Sequence, residues 1–235
     1  MRLAILITNT DFSDFAARHP HDGEKFAALI HARRPDWACA WFWAGKGELP
    51  EDPCAYDGLI VTGSPASVRE DAPWMRALSD LLMTTLKDGQ PVFGACFGHQ
   101  LIGQALGAKI VRNPAGWGHG RLELKKERDR PWLADLPGRF SLYGSHIEQV
   151  AEAPPGTEVI FSGPDCPVAG LARGRHLLTV QHHPEMTREF IAALVAEYAD
   201  HVGPEVTARA RASLHQPADT DAFAEAICRF FEGAA

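Results

Sequence analysis

Cys96 stands between Gly94 and Gly98 in the run VFGACFGHQLIGQALG, Val92 to Gly107. An apolar stretch stops at the cysteine and a helix-like pattern follows. Glycine on either side removes Cβ atoms that would clash in a sharp strand-to-helix turn. Such a turn lifts one side chain to the carboxyl end of a sheet. The following helix then places its positive end beside the sulfur and favours thiolate, the nucleophilic form. The pentapeptide alone equally suits an inert cysteine buried at a glycine-rich turn.

A nucleophile of this kind needs a base. The segment TVQHHPEM, Thr179 to Met186, ends another apolar run. Pro184 biases His183 towards extended backbone, and in an extended chain His183 and Glu185 lie on one side, two residues apart. A carboxylate there can orient the imidazole while the imidazole takes the thiol proton. Glu185 also suits a helix N-cap or first turn. His182 faces the other way and reads as a core histidine hydrogen-bonded to backbone. A third segment, VTGSPAS (Val61 to Ser67), ends a strand in a Gly63-Ser64-Pro65 turn. Its small residues expose backbone N–H groups suited to an oxyanion, although turns use such residues widely.

The elements that must carry these groups are legible as alternating patterns. Short apolar runs at Leu3–Ile7, Ala38–Ala44, Gly58–Thr62 and Pro91–Ala95 alternate with helical patterns at Gly23–Arg33, Pro73–Lys87 and His99–Leu106. That order implies a parallel sheet with helices on both faces. After residue 109 the rhythm changes to short strands with tight turns, expected as antiparallel additions at one side of the sheet. After Pro184 the chain reads as helical, interrupted at Pro204, with a last amphipathic helix at Asp219–Phe231. The fold class is therefore α/β, one domain over residues 1–235 with residues 187–235 as a helical C-terminal extension packed on it.

Composition narrows the function. At 46 % hydrophobic and 23 % charged residues, the 235-residue chain matches an ordinary globular domain with room for a sizeable core. A formal net charge of −7 without a basic stripe argues against nucleic acid. The apolar N-terminal run is too short for a membrane span or an export signal. Five dispersed cysteines (Cys39, Cys54, Cys96, Cys166 and Cys228) contain no C-x-x-C, against both a disulfide framework and structural zinc. A reduced, cytoplasmic protein without metal or organic cofactor is the expectation. Trp37, Trp41 and Trp43 read as core or a partner surface.

Taken together, G-x-C-x-G-x-Q, then S-H-x-E near the middle, then H-P-E near the end, resemble the class I (triad-type) glutamine amidotransferase superfamily over about residues 1–200. Within it the chain is similar to stand-alone proteins like the amidotransferase domain of GMP synthetase; plant γ-glutamyl peptidases share the same features. The resemblance implies a flavodoxin-like fold. It implies Cys96 as nucleophile, His183 as general base and Glu185 as its orienter. It implies an oxyanion hole from Phe97 and the Gly63–Ser64 turn. Substrate contacts would come from Gln100 and from the backbone around Ser145, His146 and Ile147. The implied substrate is glutamine or another γ-glutamyl small molecule. Ammonia would pass to a separate synthase or ligase subunit, because the roughly 35 residues beyond the domain cannot hold one. The alternative is a free-standing γ-glutamyl peptidase. A self-associating surface on the C-terminal helices would make a homo-oligomer. The chain departs from the family pattern at Ile147-Glu148, at His119 and at the Gly-Ser-Pro turn.

Overall fold

The computed structural model describes residues 1–234. Strands β1 (Arg2–Leu6), β2 (Ala38–Phe42), β3 (Gly58–Val61) and β4 (Val92–Ala95) are mutually parallel. The sequence places a helix after each of the first, third and fourth. After β1 come α1 (Asp14–Ala17) and α2 (Asp22–His31); after β3 comes α3 (Pro73–Lys87), and after β4 comes α4 (Phe97–Ala105). Strands β3 and β4 are apolar and buried along their length, and β1 is so after Arg2, whereas β2 lies at the edge and is half-exposed.

The second half of the chain builds β5 (Ile110–Arg112), β6 (Gly118–Lys126), β7 (Arg139–His146), β8 (Glu148–Val150), β9 (Glu158–Gly163), β10 (Cys166–Arg173) and β11 (Leu177–Val180). One sheet runs β2-β1-β3-β4-β11-β10-β9-β6-β7, while β5 and β8 pair apart as a small antiparallel ladder. Strand β11 returns parallel to β4, so the nine-stranded sheet is parallel from β2 to β11 and antiparallel beyond. The expected antiparallel additions are thus a four-strand extension at one edge.

Helices α5 (Arg188–Glu197), α6 (Ala199–Val202), α7 (Pro204–Ser213) and α8 (Thr220–Ala234) complete the chain. The helical run after Pro184 breaks at Tyr198, and Thr187 rather than Glu185 caps α5, its hydroxyl accepting from the Phe190 N–H. Glu185 is therefore free of the capping role that its sequence position also suits. Helices α2 and α8 cover one face of the sheet through Phe26, Ile30, Phe223, Ile227, Phe230 and Phe231. Helices α3 and α4 cover the other through Leu78, Leu82, Phe97 and Leu101. Phe231 fits only because residue 58 is glycine: a Cβ there would lie 2.5 Å from the ring. The three tryptophans separate, Trp37 entering the core while Trp41 is 44 % exposed. No helix of the described residues is long and apolar enough to cross a membrane.

Candidate active site

Cys96 follows the last residue of β4 and precedes the first of α4, with φ 48° and ψ −102°. Apart from Asp71 it is the one non-glycine residue at positive φ among the described residues. Such a conformation costs about 1–3 kcal/mol and persists only where its surroundings fix it. Here they do. The Cys96 N–H donates to Val180 O at 2.9 Å, and the Gln100 N–H donates to Cys96 O at 3.0 Å. A Cβ on Gly94 would meet the Gly98 carbonyl carbon at 2.9 Å, and one on Gly98 would lie 2.6 Å from Val61 O. Both flanking glycines are required by backbone touching backbone.

The Gly63 turn packs against the same point. A Cβ on Gly63 would sit 2.5 Å from His183 Cε1 and 3.6 Å from Cys96 Cβ, so turn, imidazole and thiol converge within one side chain's width. Thr8 fixes the turn, its hydroxyl donating to Gly63 O at 2.9 Å and lying 3.0 Å from Thr62 O. The N–H groups of Gly63 and Phe97 have no acceptor within the described residues. They remain available to a bound oxygen.

His183 is held at both ends. Its backbone N–H donates to Tyr143 O at 2.8 Å, an isolated bridge between the loop after β11 and strand β7. Its Nδ1 lies 2.7 Å from Glu185 Oε1, with both side chains buried. Because Nδ1–H is committed to the carboxylate, Nε2 is the nitrogen that faces sulfur. Burial alone would depress the imidazole's proton affinity. The Glu185 carboxylate and the Cys96 sulfur charge outweigh it and hold His183 well above the usual histidine range. The charged form of the imidazole is thereby favoured beside the Cys96 sulfur.

A fourth group stands at the sulfur. Gln181, fully buried, donates from Nε2 to Cys96 Sγ at 3.6 Å. Its Oε1 accepts from Gln100 Nε2 at 3.2 Å, and Gln100 Nε2 also donates to Glu148 O at 2.8 Å. Gln100, expected as a substrate contact, spends its amide hydrogens on this chain and reaches the cleft with its remaining surface. The Glu148 carboxylate is anchored in turn by Ser67 Oγ at 2.6 Å and Arg69 at 3.2 Å.

Cys96, Gly63, Ser64, Phe97, Gln100, Ser145, His146, Ile147 and His183 all line one cleft of about 1100 Å³. Glu185 stands behind His183, outside it. Burial holds two nearby histidines neutral: His146, whose Nδ1 meets Glu148 O at 3.2 Å, is pushed down to about 4. His99, held between Thr179 and Val168 O, is pushed down to about 3. His182 is buried edge-on to His146, but its Nδ1 has no partner, unlike the hydrogen-bonded core residue expected. No cluster of metal-ligating side chains occurs among the described residues.

Sequence reasoning did not single out Gln181, Thr8 or the far wall of the cleft: Asn9–Ser13, Trp117, Phe190 and Tyr198. Gln181 was findable, two residues before His183 on the same strand end and so on the same side. The wall was not, because it joins segments nearly 190 positions apart.

Fold and site define an α/β protein with thiol, imidazole and carboxylate in series at the carboxyl edge of its sheet. The chain belongs to the class I glutamine amidotransferase family, whose model, glutamine amidotransferase class-I, matches residues 43–191. It is 30 % identical over 195 residues to a glutamine-hydrolysing GMP synthase of Thermomicrobium roseum, a match covering 82 % of this chain and 33 % of that protein. The chain thus spans about a third of that relative's length. It is 25 % identical over 238 residues to γ-glutamyl peptidase 4 of Arabidopsis thaliana, covering 97 % and 94 % of the two chains. A glutamine amidotransferase structure from Thermotoga maritima superposes with TM-score 0.76 at 19 % identity, covering 98 % of each chain, which shows the shared fold.

Proposed function

We propose that the chain hydrolyses the γ-glutamyl amide of glutamine through a Cys96 thioester and supplies ammonia to a separate synthase. The observation that carries this is the strained Cys96 elbow, directed at a buried His183–Glu185 pair. The Cys96 thiolate attacks the side-chain carbonyl, forming the S–C bond. The N–H groups of Gly63 and Phe97, with that of Ser64 beside them, meet the developing oxyanion; removing one donor of such a hole costs about 3–4 kcal/mol. The His183 imidazolium gives its proton to the leaving nitrogen and the C–N bond breaks. His183 then takes a proton from water, which opens the thioester to glutamate and returns the thiol. Glu185 holds the ring throughout. Ser145, His146, Ile147 and Gln100 contact the amino-acid end of the substrate.

A second reading is a free-standing hydrolase of γ-glutamyl amines or peptides. The cleft favours it, extending well past the reacting atoms, and so does the near full-length likeness to a γ-glutamyl peptidase. Purified chain assayed with glutamine and with γ-glutamyl amides, with hydroxylamine to trap the thioester as γ-glutamyl hydroxamate, tests both. Hydroxamate formation that needs Cys96 supports the shared chemistry; its persistence in Cys96→Ala sinks it. Fast amide turnover with little glutaminase activity selects the second reading.

A further inference from the structure

The cleft is larger than glutamine needs, and much of its surplus is lined by aromatic rings. At about 1100 Å³ it is as large as sites that hold drug-sized ligands, and glutamine fills a small share of it. In the reaction proposed above, the γ-carbonyl stands at Cys96 and the amino-acid end on Ser145, Ile147 and Gln100. The remaining space belongs to whatever leaves with the nitrogen.

Helix α5 builds one wall of that space. Phe190, Leu194 and Tyr198, the last at the helix cap, stand four residues apart and so share one face, and all three line the cleft. The core face of the same helix uses Ile191 and Val195, which are fully buried. Phe190 and Tyr198 are only half-buried. Rings from distant segments join them. Phe15 and His19, from the region of α1, meet Phe190 at centroid distances of 6.0 and 5.1 Å. Trp117, from the loop before β6, meets His201 of α6 at 5.5 Å, and His201 meets Tyr198 at 5.9 Å. Each of these rings lines the cleft as well, and Met186 adds an aliphatic surface.

Some of the cleft's rings are already covered. Lys25 Nζ stands over Phe190 at 3.6 Å, and Lys46 Nζ over Phe12 and Trp43 at 4.8 and 4.4 Å. Trp117 and Tyr198 carry no such cation among the described residues. An incoming arene finds in these two the partners that the rings of the wall find in one another, edge to face or offset at about 4.5–7 Å. Charge narrows the ligand further. Lys25 is the single lysine or arginine that lines the cleft, and Asp22 holds it at 3.0 Å. Glu148 is matched by Arg69 at 3.2 Å. Asp11, Glu24 and Glu197 line the same space without a lysine or arginine partner among the described residues. A carboxylate on the amine half, as any amino acid or peptide would bring, meets like charge there.

We propose that the chain hydrolyses γ-glutamyl amides of arylalkylamines, leaving groups without a carboxylate, with the arene resting against Trp117 and Tyr198. The proposal rests on the free-standing hydrolase reading. The Cys96 sulfur forms a thioester with the γ-glutamyl carbonyl, the C–N bond breaks, and the arylalkylamine leaves with the proton from His183. Water then releases glutamate and restores the thiol.

The test gives the purified chain glutamine and four γ-glutamyl conjugates. These are the methylamide, the phenethylamide, its saturated isostere the cyclohexylethylamide, and γ-glutamylphenylalanine, which is the phenethylamide with a carboxylate added. In kcat/KM the phenethylamide should exceed the methylamide by about tenfold or more. It should exceed the cyclohexylethylamide by about two- to tenfold and γ-glutamylphenylalanine by about tenfold. Trp117→Leu and Tyr198→Leu should each lower the phenethylamide-to-methylamide ratio by about three- to tenfold, with thermal unfolding as the check on folding. The wild-type series needs no substitution and decides even where a variant fails to fold. Four results overturn the inference alone: no gain for the arene over methyl, an equal gain for the cyclohexyl ring, equal turnover of γ-glutamylphenylalanine, or a ratio that both substitutions leave intact. Hydrolysis of glutamine and of none of the conjugates overturns the inference and the hydrolase reading but spares the Cys96 chemistry. Absence of any γ-glutamyl hydrolysis overturns the proposed function and the inference together.

Discussion

Two faces of the same strands follow opposite rules. At the carboxyl ends of β3, β4 and β11 a non-glycine residue is held at φ 48°, two backbone N–H groups lack acceptors and a buried carboxylate oxygen, Glu185 Oε2, has no partner. On the α8 side, Phe223 makes ring-to-ring contacts with Phe93, Phe140 and Phe161, Phe93 with Phe26, and Phe230 with Phe231 and Trp132, all the phenylalanines fully or nearly fully buried. The first region gathers unsatisfied polar groups round one point, whereas the second is filled by apolar rings, with the Trp132 indole nitrogen beside Phe230 left without a partner. Strain at the elbow is sustainable because the strands that carry it are clamped by the packing below.

Substitutions can break this contrast from either side. Cys96→Ala should lower turnover by at least about 10⁴-fold while leaving unfolding unchanged. Cys96→Gly should be equally inactive yet about 1 kcal/mol more stable than the Ala variant, because glycine adopts that φ without strain. Equal melting of the two would show that no strain is stored at the elbow. Glu185→Gln should lower kcat by about 10²–10⁴-fold. It removes the charge that raises His183, so the alkaline limb of the pH–rate profile should move to lower pH; a limb that stays put would assign that titration to another group.

On the packed side, Phe223→Ala should cost about 3–5 kcal/mol in urea unfolding, with kcat per folded molecule retained. A loss of kcat at full folding would mean the two regions are not separable. The smallest effect is expected for Gln181→Leu. Loss of one hydrogen bond to sulfur should slow iodoacetamide alkylation of Cys96 about tenfold at neutral pH, and move its acid limb to higher pH. An unchanged alkylation profile would make Gln181 a spacer.

Much of this was legible in the chain. Gly94 and Gly98 advertise the elbow because backbone contact leaves no choice of residue, and Pro184 advertises the extended His183 that Glu185 can reach. The parallel strands announce themselves by unbroken apolar runs. Local pattern does not carry the pairing of β11 beside β4, which brings Gln181 to the sulfur across 85 positions. Nor does it carry the joining of Asn9–Ser13 with Tyr198 in one cleft, since these segments are loop and helix end with no periodicity to read. The start of α4 at Phe97 rather than His99 has a similar cause: the sharp turn supplies the first helical residues, and propensity does not register a turn of that kind.

The bridge from Tyr143 O to the His183 N–H ties the imidazole to the strand that ends in Ser145 and His146. In the reaction proposed above, one short length of β7 would serve as ruler for two measurements: where the amino-acid end of the substrate rests and where the proton acceptor stands. A substrate that lodged badly on Ser145 would tilt the ruler, and the imidazole would be misaimed with it. Discrimination at the amino-acid end would then register in the rate of bond cleavage as well as in occupancy.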